Sequence, residues 1–314
     1  MAMKRVDEVM REGSLAIFGG AALVVALTAA AANGEMETGV PVLERQALTQ
    51  GGFAVVRAEP GATMSVGSVS TTADAEGFAF LGIDRNAPSR LVVSIRKSAH
   101  QLVLEIGARQ WRQRIVSGLT KSTAPPPAAP PKTDGDKKVA ALRSRADLQG
   151  FLEAFAYPIA INGKFPGFTG MFGDERVYKI SGKPDRKSPH YGADIPAPVG
   201  TPIIAPATAK VVLADELNLE GKVVFLDHGQ GLITMYLHLS RIDVKVGDYV
   251  AKGDVLGLVG MTGRTNGPHL CWRAKWRDKN LDPTCLTGQC AQAEPGARAG
   301  GAPENDFYDA GEIP

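Results

Sequence analysis

Between Val40 and Leu119, apolar residues come in short runs separated by turn formers. Gly52-Phe53-Ala54-Val55-Val56-Arg57 gives way to Glu59-Pro60-Gly61-Ala62, and Thr63-Met64-Ser65-Val66 and Gly77-Phe78-Ala79-Phe80-Leu81 follow. Leu91-Val92-Val93-Ser94-Ile95 and Leu102-Val103-Leu104-Glu105-Ile106 continue at similar spacing. Short strands at regular intervals with Gly, Pro, Asn and Asp between them predict a small antiparallel β-sandwich over residues 35–119. Pro125-Pro126-Pro127 and Pro130-Pro131 then favour extended polyproline geometry, a semi-rigid spacer. Val139, Leu142, Leu148 and Leu152 recur at near-helical spacing, which predicts one helix over Asp136–Phe155, so 120–155 reads as linker and helix. From Tyr157 the strand and turn signals return and define a second β domain over 156–287. Within it, Val223–Asp227 and Leu232–His238 are expected to be strands joined at Gly229-Gln230-Gly231, with His238 near the end of the second. Residues 288–314 are Ala/Gly/Pro-rich, acidic at the end, and read as a disordered tail.

The N-terminus changes the picture of where the chain works. Lys4, Arg5 and Arg11 precede an uncharged stretch from Gly13 to Gly34, with Leu15–Ala32 apolar or small. This is the pattern of a secretory signal. An uncleaved single anchor is the rival, because the run approaches the length a membrane span needs. Residues 1–34 are therefore read as signal peptide or membrane anchor, and the protein as exported to the periplasm or cell envelope.

Composition narrows the function. With 314 residues, 44% hydrophobic and 22% charged, the chain is an ordinary globular protein of one large or two modest domains. A net charge of +2 is too mild to indicate a nucleic-acid partner. The three cysteines are Cys271, Cys285 and Cys290, so at least one has no disulfide partner within the chain. A Cys285–Cys290 bridge in an oxidising compartment would leave Cys271 as the free thiol.

The candidate chemistry lies between Ser188 and Leu286. Three of the five histidines fall in Pro189-His190-Tyr191-Gly192-Ala193-Asp194, Tyr236-Leu237-His238-Leu239 and Gly267-Pro268-His269-Leu270-Cys271. His190 and Asp194 are four apart, but Gly192 between them and Pro196 and Pro198 after them argue for a loop entering a strand rather than a helix. His269 and Cys271 are two apart, which on a strand puts both on one face. Zinc accepts imidazole nitrogen, carboxylate oxygen and thiolate sulfur, and its catalytic sites use three protein ligands. One His, one Asp and one Cys meet that count. The remaining two histidines can then assist proton transfer or bind an oxyanion. His100 and His228 read as turn residues of structural role, and Trp272 and Trp276 as packing. Cys271 as a small buried hydrophobe is the competing reading of the thiol.

In order and spacing these segments resemble the LytM/lysostaphin-type zinc endopeptidases, peptidoglycan hydrolases that cut peptide stems or cross-bridges. Gly192-Ala193-Asp194-Ile195, Ala205-Pro206-Ala207, Gly247-Asp248-x-Val250 and Gly260-x-Thr262-Gly263 extend the likeness over about Phe172–Leu286. The resemblance implies a mainly β fold: an antiparallel β domain with an open groove, preceded here by the small sandwich-like module. It implies His190 and Asp194 as zinc ligands, His238 and His269 as catalytic histidines, and a peptidoglycan peptide as substrate. Tyr191, beside a ligand, is a candidate to line the groove. The family's third ligand is a histidine, and Cys271 stands in its place. A thiolate can ligate zinc, but with Asp194 it cancels the dication, so a tuned and slower site is expected. The alternative is a degenerate domain that binds cell wall or activates a partner hydrolase. A biotinyl- or lipoyl-type carrier, suggested by Val246-Gly247-Asp248, lacks the lysine hairpin such a role requires.

Overall fold

The computed structural model describes residues 40–96, 101–119, 148–180, 184–265 and 267–290. The expected signal or anchor, His100, the polyproline spacer and residues 291–314 lie outside the described residues. No helix among the described residues is long and apolar enough to cross a membrane.

Architecture is almost entirely β. The N-terminal module holds seven strands: β1 (Val42–Ala47), β2 (Phe53–Arg57), β3 (Thr63–Val66), β4 (Val69–Thr72), β5 (Phe78–Gly82), β6 (Arg90–Ile95) and β7 (Gln101–Glu105). They form two antiparallel sheets, ordered β1-β2-β5 and β4-β3-β6-β7. Phe53, Val55, Phe80, Met64, Val93 and Leu104 are buried in a shared core, as the alternating runs predict.

Strand β8 (Gln113–Leu119) leaves the module and pairs in parallel with β9 (Glu175–Ile180), which pairs antiparallel with β10 (Arg186–Pro189). The main sheet comprises β11 (Ala193–Pro196), β12 (Pro202–Ile204), β13 (Ala209–Leu217), β14 (Gly221–Asp227), β15 (Leu232–Ile242), β16 (Tyr249–Val250), β17 (Val255–Val259), β18 (His269–Trp276) and β19 (Lys279–Leu281). Its principal order is β11-β18-β15-β14-β13-β16. Side-chain alternation splits the sheet's two faces. On β18, Leu270, Trp272, Ala274 and Trp276 enter the main core, while Cys271 belongs to a second cluster with Phe225, Met235 and Leu237.

The module is not a bead on a string. A Cβ on Gly82 of β5 would come within 2.7 Å of the Trp276 Cβ on β18, so strand and sheet pack backbone-close. Arg45 donates to the carbonyls of Phe151, Glu153 and Leu286. Arg109 pairs with buried Asp282 at 2.8 Å. Because both partners are desolvated, losing either one leaves an uncompensated buried charge.

The expected helix over Asp136–Phe155 is corrected in its described part. Residues 148–155 contain only a 3₁₀ turn, Gly150–Leu152. Leu152 and Glu153 N–H close that turn on Gln149 O and Gly150 O, but around it the backbone turns to distant neighbours: Phe151 N–H donates to His228 O, Phe155 N–H to Leu286 O and Ala156 N–H to Pro206 O. Leu148 and Phe151 are buried against the main sheet's loops, so their helical spacing reflects burial and not helix formation. Cys285 and Cys290 are disulfide-bonded, tying the start of the presumed tail to a second 3₁₀ turn, Pro283–Thr287. Cys271 is the free, buried thiol.

Candidate metal centre

Strand register assembles the site. In the β11–β18 pair Asp194 stands directly opposite Cys271, so both side chains share one face of the sheet. His190 lies in the approach to β11, fixed by its N–H to Asp174 O at 2.8 Å and by Gly173 N–H to its own carbonyl at 2.7 Å. One donor atom from each of His190, Asp194 and Cys271 lies within 4.8 Å of the others. His190 Nε2 is 3.2 Å from Asp194 Oδ1 and 3.7 Å from Cys271 Sγ.

His269 opens β18 on the same face as Cys271, as the two-residue spacing requires, and its Nε2 is 3.7 Å from Asp194 Oδ1. His238 arrives differently. It sits inside β15, not at its end, at φ +68°. Tyr236 pairs with Val224 and Leu239 with Lys222, so Leu237 and His238 oppose the single residue Val223. This bulge puts two consecutive residues on one side. Unbroken alternation would send His238 into the core beside Tyr236. With the bulge, its ring meets that of His269 at 5.0 Å between centroids, and Leu239 returns to the core.

All three histidines are oriented the same way. Nδ1–H of His190 donates to Met171 O at 3.2 Å, that of His238 to Thr262 O at 2.8 Å and that of His269 to Gly267 O at 2.8 Å. In its neutral form each ring therefore carries its lone pair on Nε2, the tautomer a metal ligand or proton acceptor needs. The Met171 turn is itself braced from the module. Arg112 binds Asp174, whose Oδ2 accepts from Met171 N–H, and buried Arg85 donates to Gly173 O at 3.0 Å.

The charges fit a cation held between these donors. Asp194 Oδ1 is buried without a hydrogen bond of good geometry, with His190 Nε2 at 3.2 Å and His269 Nε2 at 3.7 Å. Burial would raise the Asp194 carboxyl, but His190, with His269 and Arg176, holds it far below the usual carboxylate range. Burial would lower the His190 imidazole, but the Asp194 carboxylate outweighs that and pushes it up to about 10 when no metal is present. Burial, then the charge of nearby His269, push His238 down to about 4. A carboxylate oxygen, an imidazole nitrogen and a sulfur converging on one point fit a divalent ion of the zinc type.

The remaining sequence expectations separate cleanly. His228 is fully buried between Thr208 O at 3.1 Å and Thr234 Oγ1 at 2.7 Å, away from the cluster and structural. Trp272 and Trp276 are core residues. Tyr191 lies against Phe172, with ring centroids 6.4 Å apart, in an aromatic run that continues to Trp111. Sequence reading missed Met171, Gly170 and Arg273. A Cβ on Gly170 would lie 2.4 Å from Asp194 Oδ2, so only glycine lets the carboxylate seat there. Arg273 donates from Nε to Cys271 Sγ at 3.4 Å. Strand parity alone places residue 273 beside 271, and that signal was available.

A β domain that gathers His, Asp and Cys donors beside two free histidines has the build of a metallopeptidase centre. Residues 188–283 match Peptidase family M23, and the chain carries a domain of that family, of the LytM/lysostaphin type. Peptidoglycan DD-endopeptidase ShyA of Vibrio cholerae is 44% identical over 102 residues, 32% of this chain and 23% of that protein. DD-carboxypeptidase/endopeptidase Mpg of Neisseria meningitidis is 35% identical over 113 residues, 35% of this chain and 26% of that protein. The chain thus spans only a minor part of the curated relatives it matches. A crystal structure of a peptidase M23 protein from Pseudomonas aeruginosa superposes with a TM-score of 0.53 at 28% identity, covering 78% of this chain and 96% of that one. The coverage of this chain exceeds what the M23 domain alone would supply.

Proposed function

We propose that the protein is an exported zinc metalloendopeptidase that cleaves peptide bonds in peptidoglycan stems or cross-links. The observation that carries this reading is the convergence of His190, Asp194 and Cys271 donors within 4.8 Å of one another, beside the His238–His269 pair. Zinc held by that triad would supply a Lewis acid at the scissile carbonyl. His238 and His269, each with Nε2 free, would accept and return a proton and donate to the developing oxyanion. The names of the Vibrio and Neisseria relatives support peptidoglycan as the substrate. Export is supported by the uncharged N-terminal stretch after Lys4, Arg5 and Arg11, and by the Cys285–Cys290 disulfide, a bond of oxidising compartments. Anchoring through that N-terminal stretch and contact with other cell-wall proteins belong to the same proposal.

The test is digestion of purified peptidoglycan by the full chain, with released fragments identified by mass, before and after chelation and zinc return. Chelator-sensitive, zinc-restored cleavage of peptide bonds is expected. One observation favours a second reading, a wall-binding or partner-activating domain without catalysis: a thiol stands at the third ligand position. Zinc-loaded protein that binds peptidoglycan but releases no fragments would establish that reading instead.

A further inference from the structure

Cys271 does not stand alone on its strand face. Residues 271 and 273 project to the same side of β18, and the Arg273 guanidinium Nε donates to Cys271 Sγ at 3.4 Å. The approach depends on Gly192. A Cβ there would meet Arg273 Cγ at 2.9 Å, Cys271 Sγ at 3.0 Å and Trp272 O at 3.0 Å, so any other residue would wedge between arginine and sulfur. Asp194 stands opposite Cys271 on the neighbouring strand, so the sulfur lies between the carboxylate and the guanidinium.

We propose that Arg273 is a positioning residue that compensates the thiolate charge at the metal centre. The proposal rests on the metal-binding reading of His190, Asp194 and Cys271. A carboxylate and a thiolate together neutralise a divalent cation, and neutralisation weakens its pull on a substrate carbonyl. A guanidinium beside the sulfur returns one positive charge to the site. Its N–H also draws electron density off the sulfur, so the thiolate donates less to the cation. The pair Cys271–Arg273 then behaves electrostatically as a neutral donor. Beside the thiolate Arg273 both repels the cation and weakens its donor, keeping the metal more acidic at the expense of affinity; beside a neutral imidazole only the repulsion would remain.

That difference in size between the two backgrounds is the test. Zn²⁺ affinity is measured by chelator competition on the full chain in four forms: wild type, Arg273→Met, Cys271→His and the double variant. Met keeps an unbranched stem over Gly192 and removes the charge. Arg273→Met is expected to tighten Zn²⁺ binding about 10- to 100-fold in the wild-type background, because the repulsion goes and the sulfur regains its full donor strength. In the Cys271→His background the same change is expected to tighten binding by less, since only the repulsion is removed. With Co²⁺, the sulfur-to-metal charge-transfer band should move to longer wavelength in Arg273→Met and vanish in Cys271→His. Arg273→Lys, which keeps the charge without the Nε donor, should fall between wild type and Met in both readouts. Equal changes in the two backgrounds, no tightening in the wild-type background, or an unmoved band overturn the proposal. A wild-type protein that binds neither ion overturns the metal reading itself, a result distinct from a metal-binding wild type whose variants are additive.

Discussion

His238 and His269 face one another with ring centroids 5.0 Å apart and planes inclined by 51°, one carried by a bulge and the other by the first residue of a strand. Neither belongs to the donor triad, and each has Nδ1 tied to a backbone carbonyl. Alanine at either position should therefore cost peptidoglycan hydrolysis roughly 100- to 10,000-fold while zinc stoichiometry stays unchanged. Metal analysis beside the digestion assay checks both halves. Loss of zinc from His238→Ala or His269→Ala would make that residue a ligand and remove it from proton transfer.

The Asp194 carboxylate is seated against bare backbone. A methyl group on Gly170 would lie 2.4 Å from Oδ2 and 3.1 Å from Cγ. Gly170→Ala should rotate the carboxylate away from the cluster, weaken Zn²⁺ binding about tenfold or more, and cost about 1–3 kcal/mol of stability as an overpacked site. Chelator competition and a thermal melt would measure these. Undiminished affinity would mean that Asp194 donates no oxygen to the metal.

How much of this was legible beforehand follows from the range of each interaction. His269 and Cys271 share a face because of a two-residue strand period, a local rule the sequence states outright. That His190, Asp194 and His238 belong to one site was an expectation of the family resemblance. How His238 reaches it was not legible, because a β-bulge is specified by pairing to Lys222 and Val224 on another strand, not by residues next to it. The described end of the helix expected over Asp136–Phe155 is not helical, for a related reason. Leu148, Phe151 and Leu152 repeat at helical spacing, yet Phe151 spends its N–H on His228, 77 positions away in sequence. The sequence divides the chain at the polyproline spacer, which lies outside the described residues. The docking of the modules through Arg45, Arg109 and the parallel β8–β9 pair was not legible, since single arginines carry no periodic signal.

Cys271 separates ligand from filler. It is buried in a cluster with Phe225, Met235 and Leu237, so as a plain hydrophobe it would tolerate alanine with a small packing loss. As a donor 3.7 Å from His190 Nε2, it would not. Cys271→Ala is expected to lose most bound zinc, and Cys271→His to retain it. Inductively coupled plasma mass spectrometry on protein purified without added metal gives the answer. Full zinc in the alanine variant would return Cys271 to the packing role.

His228 gives the chain a pH dependence that is independent of the metal centre. It is fully buried, with the Phe155 ring tilted against it at 4.7 Å, and both ring nitrogens are hydrogen-bonded in the neutral form. Burial pushes it down to about 4 from the ordinary 6.5, the hydrogen bond to Thr208 opposing only in part. The sign follows from proton counting. Between 6.5 and about 4 the unfolded chain holds a proton that the folded chain refuses, so stability from this group is complete above 6.5 and is lost as pH falls towards 4. At 1.36 kcal/mol per pKa unit the loss amounts to about 3 kcal/mol. His228→Gln keeps an N–H for Thr208 O and has no proton to gain. It should be less stable than wild type at pH 7.5, by about 1–3 kcal/mol for an imperfect fit, yet fall less on going to pH 4.5. Titrating groups at the donor cluster are common to both proteins, so they cancel when the two are compared by urea denaturation under chelation. Parallel pH slopes for wild type and variant would show that the buried imidazole does not set acid stability.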